Sequence, residues 1–328
     1  MSAVQQQNPN TIDPQALSEA VRAVTVAQGF LATGLLNRAD WEQVLPLQGQ
    51  HLDDWLAQDY QADMAWMITH RSQREDPTMV FPEAQSVVCV LLNYHTPPGD
   101  NPAPDAVKIA QYATGTDYHR VVKQKLKVVL KSLQQQFPGL RGRAVTDSAP
   151  VLEKALAEAA NLGWKGKNAL LIRPHVGSFF FIGELFLNAP LISDFRGVDA
   201  PPMNYCGSCQ RCITACPTGA IVSDGVVDAN RCIAYWTIES KAETFPQPIV
   251  DNLQGWVFGC DICQTVCPWN QKYATPTTEP ALLPRPWNEQ PTASDLWALT
   301  PEDFQERYHH SPLARTGLER LKRNVAMV

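Results

Sequence analysis

The sequence predicts an α/β or α+β domain over residues 1–200, a small cysteine-rich domain over 201–275, and a proline-rich segment with a short helical tail over 276–328. Three observations carry this division. Two short apolar runs, Val87-Val-Cys-Val-Leu-Leu92 and Ala169-Leu-Leu-Ile172, lack alternation and read as strands buried on both faces. Stretches of helical periodicity are interleaved with them, the pattern of a layered domain. Eight of the nine cysteines then fall between positions 206 and 267, beyond a junction at Pro201-Pro202.

The start, Met1 to Asn10, is polar and expected to fray. It carries no signal peptide, twin-arginine leader or spanning segment, so a soluble cytoplasmic protein with no membrane partner is expected. Residues 15–36 place Leu17, Val21, Val24, Phe30, Leu31 and Leu35 at mostly helical spacing, which predicts one helix. A second is predicted near 50–70, with Leu52, Trp55, Leu56, Met64 and Met67 on one side. Cys89 lies inside its strand and reads as a small core residue. Thr96-Pro-Pro-Gly-Asp-Asn-Pro-Ala-Pro-Asp105 is a loop.

Tyr112-Ala-Thr-Gly-Thr-Asp-Tyr-His119 leads into an amphipathic helix reaching about Phe137. Val122, Leu126, Val129, Leu130 and Leu133 form its buried stripe, and Lys123, Lys125, Lys127 and Lys131 its solvated face. A strand at Arg143-Ala-Val-Thr146 ends in Asp147-Ser-Ala-Pro150, and a helix runs from Val151 to about Asn161, closed by Gly163. By position alone, Asp147 at this strand-to-helix turn reads as a helix cap. Phe179 to Leu187 is a further apolar segment.

The cysteine-rich domain opens with Cys206-Gly-Ser-Cys209-Gln-Arg-Cys212-Ile-Thr-Ala-Cys216-Pro217, the run of a bacterial ferredoxin. One tight loop sets three thiolates around a cube, and Cys216 is left for a second cluster. The partner set follows as Cys232 and Cys260-Asp-Ile-Cys263-Gln-Thr-Val-Cys267-Pro268. Crossed ligation would assign Cys206, Cys209, Cys212 and Cys267 to one 4Fe-4S cluster, and Cys216, Cys232, Cys260 and Cys263 to the other. Zinc favours separated pairs of cysteines, and disulfides favour small secreted chains, so both fit the run less well. Residues 219–228 read as a small hairpin between the two sets, and Leu313 to Arg323 as helix.

Two clusters make an electron relay, and the upstream domain is expected to hold whatever the electrons reduce. No G-x-G-x-x-G follows a strand and no P-loop occurs, so flavin and corrinoid both stay open. A net charge of −6 argues mildly against a nucleic-acid partner but leaves room for a basic patch.

Several further motifs resemble the epoxyqueuosine reductase family over nearly the whole chain. They are Arg74-Glu-Asp-Pro77, Tyr112-Ala-Thr-Gly-Thr-Asp-Tyr-His119, Thr146-Asp-Ser-Ala-Pro-Val-Leu-Glu153, Gly163-Trp-Lys-Gly-Lys-Asn168, Phe181-Ile-Gly-Glu184 and Gly259-Cys-Asp-Ile-Cys-Gln-Thr-Val-Cys-Pro-Trp-Asn270. The resemblance implies a cobalamin held between the N-terminal domain and the two-cluster domain. It implies reduction of epoxyqueuosine to queuosine at the wobble position of tRNA, fed by a low-potential donor of ferredoxin or flavodoxin type. By the same resemblance Asp147 is the proton donor, its pKa raised by burial against the corrin. Arg74, Asp117, Tyr118, His119, Lys167, Asn168 and Asp261 are candidate cofactor or substrate contacts, with no axial cobalt ligand expected from His119. Some members carry a helical-repeat extension; this sequence ends at Val328, so tRNA contacts of that kind are not expected. Lys123, Lys125, Lys127 and Lys131, and Arg315, Arg320, Lys322 and Arg323, are the candidate tRNA surfaces on a chain expected to be monomeric. The alternatives are a reductive dehalogenase-like corrinoid enzyme and a ferredoxin-like electron-transfer protein.

Overall fold

A computed structural model describes residues 12–97, 105–200 and 203–328. The polar start, most of the Thr96–Asp105 loop and the Pro201-Pro202 junction lie outside the described residues. Strands β1 (Ala32–Asn37), β2 (Ser86–Asn93), β3 (Gly142–Val145) and β4 (Phe180–Leu187) form one sheet in the order β1-β2-β4-β3. Every neighbouring pair is antiparallel. The α/β alternative, which implies parallel strands, is therefore corrected to α+β. The unbroken apolar runs have another cause, since helices cover both faces of the antiparallel sheet.

Those helices are α1 (Pro14–Ala27), α2 (Arg38–Leu56), α3 (Tyr118–Gln136) and α4 (Glu153–Ala159). Val88, Val90 and Leu92 of β2 pack with Leu17 and Val21 of α1 and with Val122, Leu126 and Leu133 of α3. Val87, Cys89 and Leu91 face the other way, onto Trp41 and Leu45 of α2 and Leu156 of α4. Cys89 is a fully buried free thiol in that core. Gly183 of β4 lets α3 approach, because a Cβ there would lie 2.5 Å from Val122 Cγ1.

The single helix over 15–36 is corrected. α1 stops at Ala27, where Gly29 takes φ +78 and its N–H bonds to Val26 O, so Leu35 belongs to β1. The helix placed near 50–70 instead starts at Arg38 behind an Asn37–Asp40 capping box and ends at Leu56. Of Ala169 to Ile172 only Leu171–Ile172 is strand, because Ala169 turns through φ +63.

The hairpin of the cysteine-rich domain forms as Ile221–Ser223 against Val226–Val227. Strand Trp256–Phe258 pairs in parallel with Lys108–Ile109, tying this domain to the N-terminal one. The C-terminal segment is core rather than a loose tail. Leu296, Phe304, Tyr308 and Leu321 pack on Val257 and Phe258, and Asn324 donates to Thr237 O at 2.7 Å and Val257 O at 2.8 Å. Among the described residues no helix is long and apolar enough to cross a membrane.

Candidate active site

The eight cysteines of residues 206–267 are free thiols gathered into two sets. Cys212 has Cys206 and Cys267 as charged neighbours, and Cys267 has Cys206 and Cys209. Cys232 neighbours Cys216, while Cys260 and Cys263 both neighbour Cys232 and Cys216. The thiols thus fall into one group of Cys206, Cys209, Cys212 and Cys267 and another of Cys216, Cys232, Cys260 and Cys263. Burial, with Cys232 beside it, pushes the Cys260 thiol up to about 12. Bound iron would reverse that, because a coordinated thiol gives up its proton. Among the described residues no three His, Cys, Asp or Glu side chains converge on a single metal-ion position. Among the donors to these sulfurs, Trp164 Nε1–H donates to Cys206 Sγ at 3.4 Å, and the Ala220 amide to Cys216 Sγ at 3.3 Å.

Asp147 follows β3 in a turn with φ +52, a left-handed conformation rare for a side-chain-bearing residue. It does not cap α4, whose N-cap is Leu152 with no side-chain cap bond. The capping role suggested by position alone is thereby corrected, since five residues separate Asp147 from the first helical position. Its Oδ2 instead accepts from Tyr118 Oη at 2.5 Å and from His119 Nε2 at 2.9 Å. His119 Nδ1 lies 2.7 Å from Asp117 Oδ1, and Asp117 also caps α3 by accepting from the His119 amide. The first turn of α3 thus presents both donors to Asp147. Tyr118 is held flat on Phe181, with ring centroids 4.2 Å apart.

The electrostatics follow from this geometry. Burial pulls the His119 imidazole down, but hydrogen bonds to Asp117 and Asp147 outweigh it and the net shift is upward. Imidazolium therefore gains population, with an N–H for each carboxylate. Burial pushes Asp147 up, yet the bonds from His119 and Tyr118 outweigh it and the carboxyl sits below its ordinary range. In the protein alone, then, the direction is opposite to that expected against a corrin. Burial and the Asp147 charge push the Tyr118 phenol up, so it remains a donor.

A cavity of about 860 Å³ runs from Leu52 and Trp55 of α2 past Arg74 and Asp147 to Asp224 and Val226 of the hairpin. It spans the N-terminal and cysteine-rich domains. Arg74 is half-buried on its wall, and its Nε has no hydrogen-bond partner among the described residues. Lys167 pairs with Asp224 at 3.1 Å. Asn168 is buried and donates to Cys263 O at 3.4 Å. Asp261 accepts from the Gln111 amide at 2.7 Å, and burial pushes its carboxyl up to about 6. The fold thus brings Asp117, Tyr118, His119 and Asp147 together, places Arg74 across the cavity, and sets Lys167, Asn168 and Asp261 nearer the second cysteine quartet.

Three contributors escape the sequence reading. Arg315, counted there only as a surface cation, lies 2.9 Å from His119 Nε2. Trp164 reaches Cys206, and Glu153 accepts from the Asp147 amide. Glu184 carried a legible signal, because one acid stands in an otherwise apolar strand. Of the basic groups, Lys123 donates to Ser148 Oγ at 2.8 Å, beside Asp147. Lys125 pairs with Glu279, while Arg320 and Arg323 are spent on main-chain carbonyls such as Ile238 O and Trp236 O.

Comparisons with known proteins agree with this geometry. Residues 74–148 match the family model described as epoxyqueuosine reductase QueG, DUF1730, and residues 205–270 match that of the 4Fe-4S double cluster binding domain. An epoxyqueuosine reductase of Synechocystis is 47% identical over 276 residues, covering 84% of this chain and 93% of its own. That of Cyclobacterium marinum is 40% identical over 311 residues, covering 95% and 96%. An epoxyqueuosine reductase solved with an epoxyqueuosine-modified tRNA-Tyr stem loop superposes with a TM-score of 0.84 at 26% identity, covering 95% of this chain and 80% of that one. The Bacillus subtilis enzyme, solved with an aspartate-bearing catalytic loop swung out of the active site, superposes at 0.83 with the same identity and coverage. The chain belongs to the epoxyqueuosine reductase family.

Proposed function

We propose that this protein reduces epoxyqueuosine to queuosine at the wobble position of tRNA. The observation that carries the reading is the Asp147 carboxyl, which meets Tyr118 and His119 at a cavity joining the N-terminal and two-cluster domains. Two electrons and two protons convert the epoxide to an alkene and water. Eight cysteines would hold the two 4Fe-4S clusters, in the quartets described above, for transfer of single electrons from a low-potential ferredoxin or flavodoxin.

The cavity residues fit a cobalamin. Leu52, Trp55 and Val151 offer apolar wall, and the unpartnered Arg74 Nε–H offers a donor for an amide carbonyl of the corrin rim. Lys167, Asn168 and Asp261 would close the side toward the second quartet. When bound, cobalamin supplies a strongly reducing, nucleophilic cobalt.

The protein's own residues supply the protons. An alkoxide leaves poorly, so Asp147 delivers a proton to the epoxide oxygen. The imidazolium of His119, whose Nε2 lies 2.9 Å from Asp147 Oδ2, is the group that reloads it, while the Tyr118 hydroxyl orients the carboxyl. A corrin bound here would exclude water from Asp147 and so favour the acid form of its carboxyl. The tRNA substrate places this activity in the cytoplasm, and the protein acts as a monomer.

The test is anaerobic incubation of the cluster-reconstituted protein, a chemical reductant and an epoxyqueuosine-bearing stem loop, with and without cobalamin. Nucleoside analysis should show queuosine only when cobalamin is present. Conversion at equal rate without cobalamin, or no conversion with both clusters and cobalamin in place, overturns the reading.

A further inference from the structure

Glu184 stands in the middle of β4, opposite Cys89 of β2 and Val145 of β3, and is fully buried. Among the described residues neither of its oxygens has a hydrogen-bond partner of ordinary geometry. A carboxylate sealed away without donors is heavily penalised, whereas a neutral acid can satisfy itself by donating. The carboxyl whose charge bears most on it is that of Glu153, on the first turn of α4. Glu153 Oε1 is in turn the acceptor for the backbone N–H of Asp147.

The surroundings favour one shared proton. Facing the pair are the Cys89 thiol from β2, Asp147 from the turn, Lys154 from α4 and Arg74 from the helix Arg71–Glu75. Two carboxylates cannot both ionise at close range in such a core. Burial first, and then the charges of Glu153 and Asp147, push the Glu184 carboxyl up. Burial and the Asp147 charge push Glu153 up, against the lowering effect of Glu184 as a hydrogen-bond donor. The remaining charge on Glu153 is the stronger acceptor for the Asp147 amide.

We propose that Glu153 and Glu184 are a positioning unit for Asp147, in which Glu184 donates to Glu153 and Glu153 clamps the backbone N–H that fixes the left-handed turn. The unit aims the Asp147 carboxyl at Tyr118 and His119, and so it rests on the reading of Asp147 as proton donor. Loss of the shared proton sets two like charges beneath the turn and releases it. Both carboxyls bind protons more tightly in the folded state. The stability they add is full below the ordinary carboxylate range and is lost as pH rises through the raised values.

The experiment is hydrogen exchange of the segment Thr146 to Val151 in cluster-loaded protein without substrate, across neutral to alkaline pH. The wild type should show exchange that steepens at alkaline pH beyond the base-catalysed rise shared by every amide. Glu184→Gln keeps a donor for Glu153 but has no proton to lose, so it should retain protection and lack the steepening. Glu153→Leu should speed exchange of the segment by on the order of tenfold. In turnover, Glu184→Gln should keep neutral-pH kcat and lose the alkaline limb, and Glu153→Leu should lower kcat more than it changes KM. Identical pH profiles for wild type and Glu184→Gln overturn the proposal, even if Glu153→Leu does not fold. The exchange measurements need no tRNA or cobalamin, so failure of epoxide reduction and failure of the clamp are told apart.

Discussion

The indole N–H of Trp164 donates to Cys206 Sγ at 3.4 Å, a contact to a thiol that would ligate the first cluster in the proposed reading. Hydrogen bonds to cluster sulfurs stabilise the reduced, more negative state and raise the potential. Trp164→Phe keeps most of the aromatic packing against Tyr205 and Trp269 but removes the donor. One of the two cluster potentials should become more negative, with the other and the iron content unchanged. Anaerobic potentiometry followed by paramagnetic resonance checks this, and two unshifted potentials would remove Trp164 from any tuning role.

His119 links Asp117 and Asp147, and its direction of shift sets a pH dependence. Its raised pKa adds stability that is full below the ordinary imidazole range and is lost as pH rises through the folded value. Asp117 and Asp147, both lowered, add stability above the ordinary carboxylate range that is lost as pH falls through their folded values. The network therefore supports the fold most in the mildly acidic window between the two. His119→Gln should flatten the fall of Tm as pH rises above that window. A profile of unchanged shape would show that the imidazole is uncharged there.

The basic groups named from sequence divide in two. Lys123 and Arg315 border the Asp147 turn, so each removal should weaken stem-loop binding and reduce the log–log salt slope by about 0.7–0.9. Arg323 instead bonds Trp236 O and Ser240 O and lies over the Phe245 ring. Arg323→Ala should lower Tm and leave the salt slope alone. Filter binding at several salt concentrations, beside thermal melts, separates the two classes; a slope unchanged by Lys123→Ala and Arg315→Ala would place the phosphate path elsewhere.

What could be read from the sequence was local. The cysteine spacing is set by how one loop wraps a cube, so a double-cluster domain was legible before any fold. The strand Val87–Leu92 and the stripe from Val122 to Leu133 were legible because periodicity reports burial directly. Strand direction was not, since helices on both faces make an antiparallel sheet look like a parallel one. The end of α1 was missed because the apolar spacing continues past Gly29 into β1. At the site, Asp147 carried a motif, but its surroundings are long-range. Arg315 is 196 residues from the His119 it touches, and Glu184 comes from a different strand. Apolar periodicity says nothing about which distant charge will face a turn.

The most direct measurement is single-turnover conversion of epoxyqueuosine in a stem loop by the Asp147→Asn protein, with cluster and corrinoid content matched to wild type. Asparagine keeps the size and one acceptor for Tyr118 and His119 but has no proton to transfer. The predicted result is a loss of about 10²–10⁴ in the conversion rate, with stem-loop affinity retained. Conversion at the wild-type rate by that variant would contradict the account at its centre.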